Sequence, residues 1–163
     1  MNDVASYVAK IVSLNGGSVV GKTRLQKSAY FLEELGVGND FVFEYYHYGP
    51  YSDEISIGID DAKALRYLDL EWKTTRSGTD YAIFRSNEKF ESEKNDQKRR
   101  DILNILSKYD SISLELAATA DFLSKNGFEK DAWKETIKRK EDKSTPDRVQ
   151  KAETLLSELE RFN

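Results

Sequence analysis

Cysteine is absent from this sequence, which excludes disulfides, thiolate nucleophiles and cysteine metal sites together. Histidine occurs once, at His47, so no multi-histidine metal centre can be built from one chain. No stretch approaches the roughly 18 apolar residues of a membrane helix, and the N-terminus lacks a charged segment followed by an apolar run. Neither sign of charge dominates. The 25 Lys and Arg meet 29 Asp and Glu, for a formal net charge of −4. Residues 1–90 hold ten basic and thirteen acidic side chains, and residues 91–163 hold 15 and 16. No basic half stands out, so non-specific nucleic-acid binding is not expected. What is present is an ordinary globular composition. With 163 residues, 39% of them apolar, one domain can bury a core. The expectation is a soluble, cytoplasmic chain with no cofactor, no metal site and no catalytic residues.

Apolar spacing predicts a helix over residues 3–14 on Val4, Val8, Ile11 and Leu14, stopped by Asn15-Gly16-Gly17. A second helix is expected over about 24–35. Thr23 and Gln26 would form its capping box, Leu25, Ala29, Leu32 and Leu35 its buried stripe, and Gly36 its stop. Phe41 to Tyr48 reads as one aromatic strand with a break at Gly49-Pro50. Ser52 looks like the N-cap of a third helix whose core face is Ile55, Ile59, Ala62 and Leu65. Leu70–Thr75 and Tyr81–Arg85 then flank a hairpin turn. Helix, helix, strand, helix, hairpin is the order of a winged helix-turn-helix with one inserted strand. From residue 91 onward the pattern is helical: Ile102 to Leu106, Leu114 to Lys125, a short piece around Trp133 and Ile137, and a last helix opened by Thr145-Pro146. The fold expected is therefore α+β and mainly α-helical. A winged-helix-like part with a small β-hairpin (1–90) would pack on a C-terminal helical bundle (91–163) as one domain, 1–163.

Four constellations bear on function. Gly16-x-x-x-x-Gly21-Lys22-Thr23 spells a P-loop, which needs a strand before it and a parallel sheet around it. The helical spacing of residues 3–14 supplies neither. His47, among Tyr45, Tyr46, Tyr48 and Tyr51, has no triad partner at motif spacing and reads as a packed strand histidine. Glu115 lies on a helix apolar around most of its circumference. It reads either as a buried charge meeting Lys27 or Arg24, or as a boundary residue reaching water. The basic residues Lys94, Lys98, Arg99 and Arg100, with Lys134, Lys138, Arg139, Lys140 and Lys143, are interleaved with acids and read as a solvated surface.

Lys22-Thr23-Arg24-Leu25-Gln26-Lys27, with Tyr30, and Phe43 through Tyr46, His47, Tyr48, Gly49, Pro50, Tyr51 and Ser52 resemble the paired LQK and YGPYS signatures of the Panacea-domain family. That family includes SocA-like antitoxins and YwgA-like proteins of prokaryotes. Leu114 to Thr119, with Phe122-Leu123, resembles a third block of the YwgA-like branch. Ser28 stands where the family commonly has an apolar residue, and Tyr46 and Tyr51 stand where the antitoxin branch carries Trp and Val. The resemblance implies a small α+β domain that works by binding proteins, a toxin or a protease component among them. It places Leu25, Gln26, Lys27, Tyr30, Tyr46, Tyr48, Gly49, Pro50, Tyr51 and Ser52 in the family motifs and the partner-binding region.

The function expected is that of a non-enzymatic protein-binding module, an antitoxin or a phage- or defence-associated regulator. A winged-helix transcription regulator is the alternative, and a P-loop nucleotide-binding protein a remote one. DNA is not the expected partner. Residues 52–70 would hold the recognition helix, and they set five acids against Lys63 and Arg66.

Overall fold

The computed structural model describes residues 3–86 and 88–163. Among them are seven α-helices and two small antiparallel sheets, so the chain is α+β and mainly helical. Helix α1 (Val4–Leu14) starts at Asp3, whose carboxylate accepts from the Ala5 amide, and it buries Val8, Ile11 and Leu14. Gly16 and Gly17, both at positive φ, turn the chain into strand β1 (Ser18–Val20). Helix α2 (Lys22–Glu34) follows at once.

A two-residue turn at His47-Tyr48 joins β2 (Glu44–Tyr46) to β3 (Gly49–Tyr51). Ser52 then caps α3 (Asp53–Ala64), its hydroxyl accepting from the Ile55 amide. Strands β4 (Leu68–Thr74) and β5 (Asp80–Ser86) form a hairpin, and β1 pairs with the far edge of β5 to give the order β1-β5-β4. Val19 sits opposite Phe84 and Leu70 opposite Phe84 in register, which puts all three on the inner face. The remainder is helical: α4 (Asp96–Leu106), α5 (Ser111–Lys125), α6 (Ala132–Arg139) and α7 (Pro146–Leu159).

Helix α5 is the central element, in contact with α2, α6, α7 and β3. Its Leu114, Leu116, Ala117 and Ala118 are fully buried, and each leucine contributes about 1.5–3 kcal/mol by leaving water. One hydrophobic cluster runs from Ala5 to Leu159 and draws on both halves of the chain. Among the described residues no helix is long and apolar enough to cross a membrane.

Several local expectations need correction. The capping box does not form: Gly21 is the N-cap of α2 and no side chain caps it. The Gly21 amide donates to Ala82 O at 2.9 Å, so β1 feeds the helix directly and starts it at Lys22. The Phe41–Tyr48 strand is only three residues long and folds back on itself, because Gly49 (φ +90°) allows a tight reversal before Pro50. Leu65 is the C-cap of α3 and is exposed. Arg99 and Lys140, read as surface residues, are buried. Arg99 bonds Asp96 at 3.0 Å and Val37 O at 2.8 Å, while Lys10 pairs with Asp96 at 3.1 Å and with Glu93. This closed ion cluster ties α4 to α1, and charge spacing alone gave no sign of it.

Candidate functional site

The P-loop string forms no phosphate cradle. Its amides are spent elsewhere, Gly17 donating to Val12 O and Gly21 to Ala82 O, and Lys22 extends towards Asp60 at 4.0 Å. Among the described residues no group of three His, Asp or Glu side chains is placed to hold a metal ion.

The two sequence blocks separated by some twenty residues come together instead. Leu25 and Tyr30 are buried in the core. Gln26 faces β3: its Nε2 donates to Ser52 O at 2.9 Å, and its Oε1 accepts from the Ser52 amide at 3.0 Å. Lys27, 1% exposed, donates from Nζ to Pro50 O at 2.8 Å. Burial pulls the Lys27 amine down to about 8. The Glu115 charge opposes that shift, and the Lys140 and Lys143 charges add to it. Tyr30 donates to Asp121 at 2.6 Å and packs edge-on against Phe43. Its phenol is raised well above the usual range, by burial first and by Asp121 second. Gly49 lies so close to α5 that a Cβ there would collide with the Thr119 hydroxyl. Gly49, Pro50 and Ser52 are all buried. Most of the motif residues therefore hold a backbone in place and are out of a partner's reach.

Glu115 is 2% exposed. Its partners are not Lys27 or Arg24 of α2. They are Lys140, at 3.1 Å, and Lys143, at 3.0 Å, both from the turn after α6. Arg24 instead donates to Leu106 O at 3.2 Å and to Tyr109 O, closing the C-terminal end of α4. Lys140 also donates to His47 O. The hairpin turn is thus fixed from below by Lys27 and Gln26 and from the side by Lys140. Sequence reading could not select Lys140 from its charged neighbours, since nothing in the 138–143 run distinguishes the one that turns inward.

What this clamp leaves outside is aromatic. Tyr46 is 41% and Tyr48 56% exposed, and His47 stands at the tip in solvent, not packed as a strand histidine. Tyr51, half-buried, packs on Tyr46 with ring centroids 5.0 Å apart. On the other side Arg139 lies 4.8 Å from the Tyr45 ring centroid and Lys143 Nζ lies 4.7 Å from that of Tyr48. Tyr45, Tyr46, His47, Arg139 and Lys140 line an open groove. No family model matches the chain, and no curated protein matches it.

Proposed function

We propose that the chain is a cytoplasmic, non-enzymatic protein-binding module, an antitoxin or a phage- or defence-associated regulator of the Panacea type, acting by direct contact through the Tyr45–Tyr51 hairpin. One observation carries this reading. The hairpin backbone is held by buried Gln26, Lys27 and Lys140 side chains while Tyr46, His47 and Tyr48 face solvent. Rigid exposed aromatics lose little entropy on docking and are favoured at interface centres. The likeness of the LQK and YGPYS blocks to the family signatures supports the same reading. The test is affinity purification of the tagged chain from its native host, with the products of neighbouring genes examined as prey. Tyr46→Ser/Tyr48→Ser should lose the partner and keep wild-type circular dichroism. A partner held equally well by that variant, or no partner at all, would overturn the reading.

A second reading, a winged-helix transcription regulator, takes support from the strand order β1-β5-β4 with α3 just before the β4–β5 hairpin. Charge opposes it. The exposed face of α3 carries Asp53, Glu54, Asp60 and Asp61, and Lys63 is drawn to Asp60 at 3.4 Å. A helix of that sign repels phosphates. Fluorescence anisotropy with promoter DNA at physiological salt discriminates the two. Sequence-specific binding weakened by Lys63→Ala or Arg66→Ala would favour the regulator.

A further inference from the structure

The β2–β3 hairpin presents its tyrosines to two fields of opposite sign. Tyr51 lies on the side of Glu44, Asp53 and Glu54. Tyr46, packed on Tyr51, has its phenol raised chiefly by Asp53, while it also lines the groove with Arg139 and Lys140. Tyr45 and Tyr48 lie against Arg139, Lys140 and Lys143. The surface continues over Lys138 to Lys143, where four cations stand beside Glu141 and Asp142 and line a second open groove with His47. Beneath it, Glu115 pairs with both Lys140 and Lys143, and its field also reaches Lys27. Two ammonium groups pair with that carboxylate and a third lies within its field, which leaves the cluster in positive excess.

Resting on the docking reading above, we infer that the Tyr45–Tyr48 side of the hairpin and the 138–143 turn together bind an acidic segment of a partner protein. That segment would carry Asp or Glu side chains next to an apolar or aromatic residue. Charge complementarity selects this occupant. Arg139 donates from Nε to Glu135, at 2.8 Å, and lies over the Tyr45 and Phe128 rings at the edge of the groove, where a guanidinium beside an aromatic ring is suited to an incoming carboxylate. Lys138 is exposed and Lys143 half-buried at the rim. An isolated carboxylate can settle among these cations beside a ring. A nucleic acid, with a charge at every step, would also have to run past Glu141, Asp142 and Glu44.

The probe is a short fluorescein-labelled peptide built from Glu, Leu and Tyr, compared with versions carrying Ser or Lys in place of Glu and with single-stranded DNA of equal length. Anisotropy titrations should give the Glu peptide at least about tenfold tighter binding than the Ser peptide, weakening as salt rises. Lys138→Glu/Arg139→Glu should weaken it about tenfold or more, with Lys138→Gln/Arg139→Gln as a milder variant should the reversal disturb folding. Tyr48→Ser should weaken it severalfold. Equal affinity for Glu and Ser peptides, both lost in Tyr48→Ser, would sink the charge assignment and leave the docking reading standing. No binding of any peptide would sink both. Tighter binding of the DNA would assign the groove to nucleic acid, and a dimer dissolved by the charge reversal would assign it to a second copy of this chain. Either result overturns the inference.

Discussion

Gln26 and Ser52 pair as two peptide groups do in a sheet, the side-chain amide of one meeting the backbone amide and carbonyl of the other at 2.9 and 3.0 Å. This pairing lets a helix side chain act as a strand edge for β3, which has only β2 as a neighbour in its sheet. It fixes the start of α3 at the same time, because Ser52 is also that helix's N-cap.

Removing the Gln26 amide leaves the buried Ser52 N–H without a partner, while Ser52 O keeps only its bond from the Ser56 amide at 3.1 Å. Gln26→Ala should cost roughly 1–3 kcal/mol, read from urea-unfolding midpoints. Gln26→Glu should also destabilise, since a carboxylate has no donor for Ser52 O. A loss below about 0.5 kcal/mol for the alanine variant would show the pairing to be incidental.

Glu115 answers two lysines, one of them buried. Glu115→Ala should cost about 3 kcal/mol or more because Lys140 would be left charged without its carboxylate. Its effect should not add to that of Lys140→Met. A double-mutant cycle measures the coupling, and strict additivity would refute the pairing.

Lys27 makes stability depend on alkaline pH. Its folded pKa is about 8, against 10.5 for the free amine. The cost of burying the ammonium is therefore complete below pH 8 and is relieved as pH rises to 10.5, where the unfolded chain too is neutral. Between these limits the unfolded state binds more protons, so wild type should gain on Lys27→Met by up to roughly 3 kcal/mol. Paired urea titrations at pH 7.5 and 10.5 read the change, and a constant difference would contradict it.

At Gly49 a positive φ and the approach of α5 act together. Gly49→Ala should destabilise by roughly 2 kcal/mol or more. The Thr119 hydroxyl is buried and has no hydrogen-bond partner, so Thr119→Val should be close to neutral. Thr119→Ala should relieve part of the Gly49→Ala loss, the steric part, and leave the backbone strain. Thermal melts of wild type, these single variants and the Gly49→Ala/Thr119→Ala double variant check this, and no rescue at all would place the whole cost in the backbone.

Much of the architecture was legible in local sequence. Val4, Val8 and Ile11 at helical spacing, the Ser52 and Thr145 caps and the β4–β5 hairpin residues all act over a few positions, and the structure has them where their spacing puts them. For Glu115 the apolar wheel left a buried charge and a boundary residue both open, and the structure has it buried.

Long-range competition decided the rest. Gln26 had two possible partners, the helix start beside it and the Ser52 backbone 26 residues away, and the buried one prevailed because no water could replace it. Lys27, Arg24, Lys140 and Lys143 look alike in sequence. Which of them meets Glu115 depended on where α6 ends relative to α5, and that is set by packing. The aromatic run was visible from the start, but packing alone gave its rings their surroundings. Alternation along β2 separates Tyr45 from Tyr46, while the fold set Arg139 over Tyr45 and placed Tyr51 beside Glu44, Asp53 and Glu54. Sequence by itself determined which residues prefer helix, strand or core, since those preferences are local. Only the tertiary structure decided which buried polar groups find each other and which tyrosines meet solvent, because both depend on how the elements pack.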